Sequence, residues 1–199
     1  MPCDPSHRQA MMLAWDALAR VPDERLAEAS GGELRGRELA LTTLGQWTMV
    51  DLADRTVTTP DLLGGSWGLI ALHHLKGCLA WKDDAEWTSY DQLAEGRPFA
   101  AAFRARGIAP LADRFGRSPG DLVRTAGALG GRPMALGDAA AVLHAFPRLK
   151  VAVVVWRGDD EVSGRAVLLF ERGGARTLPA EDLAEAGIAL SQALISKAR

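Results

Sequence analysis

Cysteine is almost missing from this 199-residue chain, which carries only Cys3 and Cys78. So few thiols exclude a disulfide scaffold, and a four-cysteine iron–sulfur cluster cannot be held by this chain alone. Long apolar runs are missing too. No stretch reaches the roughly 18 uninterrupted apolar residues of a spanning helix, and the opening MPCDPSHRQ lacks the charged-then-apolar order of a secretory leader. The expectation is a cytoplasmic protein with reduced thiols and no membrane partner. Charge of one sign is not in excess: 23 basic residues face 25 acidic ones, so nothing draws the chain as a whole to nucleic acid. There is no glycine-rich phosphate loop with its lysine, no serine nucleophile elbow and no paired CxxC. The common nucleotide-binding and hydrolase readings lose their footing.

The remaining composition, 48% hydrophobic and 24% charged, is that of a globular chain able to bury one sizeable core. The expected organisation is an N-terminal helix and linker over residues 1–35, packed on a single α+β domain over residues 36–199. Asp4-Pro5 reads as a cap followed by proline at the first helical position, and Met11, Trp15 and Leu18 continue at helical spacing. After the Gly31-Gly32 break, two alternating stretches flank Leu44-Gly45-Gln46, which predicts a hairpin with room for a third strand ending at Val57. From Gly64 to Trp81 the chain is apolar over most of a helical circumference, so a largely buried helix is expected.

Between Asp91 and Ala145 the pieces PFAAAFRARG, GDLVRTAGALG and GDAAAVLHAF read as short helices separated by glycine and proline. Val151–Trp156 and Ala166–Phe170 read as adjacent strands buried on both faces, which calls for covering helices. A last helix begins near Leu178-Pro179, with Leu183, Ala186, Leu190 and Leu194 along one stripe. Strands in pairs, without strict strand–helix alternation, favour an α+β layer fold with antiparallel-rich sheets packed against helices.

Residues suited to chemistry are few. His73 and His74 are neighbours on the expected helix, so their side chains leave its axis about 100° apart and serve different faces. His74 shares a side with Trp67, Ile70, Cys78 and Trp81, and its spacing to Cys78 suits two metal ligands from one helix. His73 sits in a small, polar arc with Ser66, Lys76 and Gly77. Small residues beside a histidine would let a flat macrocycle approach while neutral imidazole coordinates its metal. Trp67, Trp81 and Trp156 are candidates to wall such a pocket, although core packing accounts for all three equally well.

The loop Arg157-Gly158-Asp159-Asp160-Glu161 sets three carboxylates between two strands, a hard-oxygen cluster for a divalent cation or an acid–base pair. His73, Asp159 and Glu161 are the metal-ligand candidates. A solvated turn explains the same loop, since aspartate caps its own backbone. Glu181 and Asp182 stand in the first turn of the last helix, where carboxylates interact favourably with exposed amides.

From about Leu39 to Leu194 the chain resembles a bacterial and archaeal family, the domain of unknown function numbered 3786. Carrying the resemblance are LHHL around His73, PLADRFG ending at Gly116, LGG ending at Gly131, GDAA from Gly137, FPR from Phe146, WRGDDE from Trp156 and LPAED from Leu178. The matched positions are His73, Asp138, Trp156, Gly158, Asp159, Glu161, Glu181 and Asp182. The chain departs from the pattern in carrying His74 where an aromatic is expected, Val162 where phenylalanine is expected and Glu171 where aspartate is expected. The resemblance implies one α+β domain. Some members carry it behind an iron–sulfur module similar to that of corrinoid proteins of one-carbon metabolism.

Three functions follow as expectations. The first is an accessory protein binding a metallocofactor, cobalamin or another corrinoid or haem, through His73 and His74 with Trp67, Trp81 and Trp156. The second is an enzyme using Asp159, Glu161 or Asp138 as acid, base or metal ligand. The third is a domain docking on a redox or methyl-transfer protein partner.

Overall fold

A computed structural model describes residues 5–198; Cys3 and Asp4 lie outside them. Helix α1 (Pro5–Leu18) turns Ala14, Trp15 and Leu18 inward, the face that the sequence spacing marks. A second helix, α2 (Asp23–Ser30), follows with Asp23 and Glu24 in its first turn. It stops at Gly31, whose left-handed φ of 70° lets its N–H close on the helix's last carbonyls. Trp15, Leu18 and Leu26 join the same core as the remainder of the chain.

Strands β1 (Glu33–Arg35), β2 (Glu38–Thr43), β3 (Gln46–Asp51) and β4 (Thr56–Thr58) form a four-stranded antiparallel meander. The hairpin expected around Leu44-Gly45 is present, with strands added on both sides. Leu44 and Gly45 both take positive φ, 47° and 74°, as a turn matched to strand twist requires. For leucine that backbone is unfavourable. Burial of the Leu44 side chain and a bond from its N–H to the His144 carbonyl hold it there.

Helix α3 (Trp67–Cys78) is buried through Trp67, Ile70, Ala71, Leu72, His74, Leu75 and Cys78, as expected of a helix apolar nearly all round. It packs against α1 and α2 on one side and touches the last helix on another. After β5 (Trp87–Ser89) come tight turns, α4 (Ala100–Phe103), one π-type turn, α5 (Ala109–Phe115) and α6 (Gly120–Gly127). The second sheet then assembles from β6 (Arg132–Met134), β7 (Ala139–Phe146), β8 (Leu149–Trp156) and β9 (Arg165–Glu171). Its order is β5-β9-β8-β7-β6, antiparallel throughout. A short helix α7 (Arg172–Ala175) leads to α8 (Ala180–Lys197), whose stripe Leu183, Ala186, Leu190 and Leu194 is buried as expected. The fold is α+β.

One expected element is overturned. GDAAAVLHAF reads as helix because alanine is the best helix former, yet residues 139–146 are a central strand paired with β6 and β8. Pairing on both edges satisfies its backbone, and tertiary context outweighs propensity. The turn after α6 lies close against this strand: a side chain on Gly131 would meet Ala126 and Leu143.

The sheet is two-faced. Ala141, Leu143, Val151, Val153, Leu168 and Phe170 point into the core with Leu111, Phe115, Leu122, Leu190 and Leu194 from the helices. Val142, Ala152, Val154, Val167 and Leu169 alternate with them and face the other way, where Ala152 and Val154 are nonetheless fully buried. The strands were expected to be buried on both faces under covering helices: Val151 to Val155 are all buried, and the core helices cover the face carrying Val151 and Val153.

Candidate functional site

Two sequence landmarks separated by most of a domain meet at one end of the second sheet. His73, on the half-buried arc of α3, places Nδ1 2.5 Å from Oδ2 of Asp182 in the first turn of α8. An ionised carboxylate accepts but does not donate, so Nδ1 carries a proton, and Nε2 is the ring nitrogen left for another group, an acceptor in the neutral ring and a donor in the protonated one. His73 lines a cleft of about 330 Å³ with Lys76, Gly77, Arg176, Thr177, Leu178 and Pro179. Arg176 reaches Asp84 at 3.2 Å.

Gly77 makes this junction possible. A Cβ built on it would stand 1.9 Å from the carbonyl oxygen of Thr177, so only glycine allows the chain leading into α8 to lie against α3. This corrects the reading of Gly77 as room for a macrocycle. The space is filled by the protein's own backbone.

His74 is a different kind of residue. It is fully buried, stacked on Phe146 at 4.5 Å between ring centroids, and its Nδ1 lies 2.8 Å from the Thr177 hydroxyl. That hydroxyl donates to the Gly174 carbonyl at 2.7 Å, so His74 Nδ1–H must be the donor to it. Nε2 is then free to accept from the Cys78 thiol at 3.4 Å. Burial, with Arg148 adding to it, pushes the His74 pKa down to about 3, and the ring is neutral. Burial pushes the Cys78 thiol up to about 12 against the opposing pull of Arg148. The pair has the spacing of two ligands from one helix, but its polar atoms are spent inside the core.

The tryptophans do not gather around His73. Trp67 is buried against Phe146 at 4.9 Å. Trp81 lies under the Arg148 guanidinium, 4.1 Å from its ring centroid, beside a second cleft with Arg25 and Cys78. Trp156 closes β8 at the end away from Phe146 and Leu149, and seven strand steps at about 3.3 Å put it on the order of 23 Å along that strand. These residues form no common slot for a tetrapyrrole.

The acidic loop is built as a turn. Asp159 Oδ1 accepts the N–H groups of Val162 and Glu161 at 2.8 and 2.9 Å, and these bonds hold its carboxyl below its ordinary range. Asp138 Oδ2 accepts the Arg157 N–H at 2.7 Å, and the Gly158 N–H donates to the Gly116 carbonyl at 3.0 Å. The landmarks GDAA, PLADRFG and WRGDDE thereby meet through backbone contacts that shape a corner. Asp159 lines a separate cleft with Asp113, Gly116 and Gly164, in which His73 has no part. Among the described residues, no group of three histidine, cysteine or carboxylate side chains stands close enough to hold a metal ion, so His73, Asp159 and Glu161 are not brought together. No helix among the described residues is long and apolar enough to cross a membrane.

Sequence reasoning placed His73 and Asp182 separately but could not join them, and it missed Thr177 and Arg176 altogether. No spacing rule links a mid-chain helix to residues a hundred positions later.

The family model described as Domain of unknown function (DUF3786) matches residues 24–193. No curated protein and no solved structure matches the chain.

Proposed function

The chain belongs to the DUF3786 family, and we propose that it is a small-molecule-binding protein in which His73 contacts the ligand through Nε2. The observation that carries this reading is the His73–Asp182 bond at the wall of the cleft. A rim histidine held by a carboxylate has one ring orientation and one tautomer, which is the preparation a ligand-contacting imidazole needs. The other landmark carboxylates, Asp138 and Asp159, are occupied with backbone N–H groups, so an acid–base role for them has less support. His73 is also equipped for proton transfer to or from a bound molecule, since its second nitrogen is the one left available.

The same bond favours a second, narrower reading in which the ligand bears a metal. Carboxylates commonly orient metal-binding histidines in this way. His73 is then the single protein ligand, and haem or a corrinoid lies across the open cleft, because the expected tryptophans do not enclose it. A docking role toward a redox or methyl-transfer partner is compatible with this form.

The test is a thermal-shift and absorbance screen of small molecules, haem and cobalamin included, on the wild type and on His73→Ala and Trp156→Ala variants. A ligand whose stabilisation vanishes in His73→Ala and survives in Trp156→Ala supports the reading. Ligands that stabilise His73→Ala as well as the wild type, or that depend on Trp156, sink it.

A further inference from the structure

The His73 cleft does not end at Pro179. A neighbouring cleft of about 360 Å³ is lined by Leu93, Glu95, Ala175, Ala180 and Leu183, and shares Arg176 and Leu178 with the first. The two halves differ in chemistry. Around His73 stand Lys76 and Arg176, both cationic. Lys76 has no ion pair among the described residues, and Arg176 is held by Asp84 at 3.2 Å, a carboxylate that a ligand carboxylate can replace. The adjoining half is walled by Leu93, Ala175, Leu178 and Leu183, and among the described residues its one charged side chain besides Arg176 is Glu95, which repels a second anionic group there.

We propose that the ligand is a small amphiphile with a single anionic end: a carboxylate or phosphate head between Lys76 and Arg176 that the protonated His73 ring meets through Nε2–H, and an apolar arm along Leu93, Leu178 and Leu183. This deepens the reading of His73 as the ligand-contacting residue and rests on it. The physical basis is a division of labour usual in small-molecule sites, in which convergent polar groups fix one end and apolar walls supply buried area for the other. Both cations form charge-assisted hydrogen bonds to an anionic head, the strong class of such bonds. The 250 Å³ cleft beside Asp159 is lined by Asp113 and Asp159 against a single cation, Arg117, and is the internal control.

The test is an amide NMR titration of the full chain with three probes: octanoate, inorganic phosphate, and octyl glucoside as a neutral amphiphile with the same arm. Octanoate is expected to shift, saturably, the amides of Lys76, Gly77 and Thr177 together with those of Leu93 and Leu183, leaving Gly158 and Gly164 unmoved. Lys76→Met and Arg176→Met are surface changes that keep the fold, and each is expected to weaken octanoate about tenfold. Equal binding of octyl glucoside, or octanoate binding indifferent to both substitutions, overturns the anionic head. Phosphate shifting Lys76 and Thr177 while octanoate leaves Leu93 and Leu183 unmoved overturns the apolar arm. If octanoate and phosphate both fail while the screen above finds a His73-dependent ligand, the ligand class is wrong and the site stands. If octanoate binds as described but equally well to His73→Ala, the class stands and the role of His73 falls.

Discussion

His73 and Asp182, 109 residues apart, are joined by a 2.5 Å hydrogen bond between Nδ1 and Oδ2. Each has a local explanation on its own, the histidine as a boundary residue and the aspartate as a helix-start carboxylate. Together they fix the α3–α8 junction and define the only ring nitrogen of His73 left for another molecule.

Replacing Asp182 by alanine should release that ring. Nitrogen-15 NMR of the neutral His73 imidazole is expected to report the proton on Nδ1 in the wild type and a mixture of tautomers in Asp182→Ala. Ligand affinity at the cleft should fall about tenfold, the scale of a lost charge-assisted hydrogen bond. An unchanged tautomer in the variant would refute the bond's orienting role.

Acid should destabilise the fold through His74. Its pKa lies near 3 in the folded protein, against an ordinary 6.5, so below pH 6.5 the unfolded chain binds a proton that the folded chain does not. Stability contributed by this group is therefore complete above about pH 6.5 and is lost as pH falls toward 3, at up to about 1.4 kcal/mol per pH unit. Urea unfolding at pH 7, 6 and 5 measures the slope. In His74→Phe, which puts an aromatic where the family resemblance expects one, the slope over that window should shrink.

Gly77 and Gly64 offer a matched pair of substitutions. An alanine at 77 meets the Thr177 carbonyl, and the chain before α8 must move; the expected loss is at least about 2 kcal/mol, toward the upper end of overpacking costs. Nothing lies within 4 Å of a Cβ at Gly64, so Gly64→Ala should change stability by no more than about 0.5 kcal/mol. Chemical denaturation of both variants checks the contrast. Similar midpoints would mean that α3 and residue 177 are not in contact.

Cys78 should be inert in the native protein. It is buried, it donates toward His74 Nε2, and burial keeps it a thiol. In a Cys3→Ser background, a chromogenic disulfide reagent should find no reactive thiol at pH 8 until denaturant is added. Rapid stoichiometric reaction in native buffer would contradict the placement of α3.

Short-range patterns carried much of this protein into view. The all-round apolar run around His73 specified a buried helix, Leu44-Gly45 a hairpin turn, and Val151–Trp156 with Ala166–Phe170 adjacent strands, because spacing and local backbone preference are written residue by residue. The segment at Ala139–Phe146 escaped this logic, since its helix propensity yields to strand pairing with β6 and β8 on both edges, contacts that its own residues do not encode. The acidic turn was legible as a turn from Asp159 alone, whose side chain bonds its own following backbone. By itself, then, the sequence determined the α+β class, the family, the placement of the principal helices and the identity of His73 and Asp182 as separate candidates. Tertiary structure decided that these two share a bond, that the space beside Gly77 is taken by the Thr177 backbone, that His74 and Cys78 belong to the core, and that Trp156 and Asp159 stand away from His73. Those outcomes depend on where the chain returns after a hundred residues, and through-space packing of that kind has no periodicity to read.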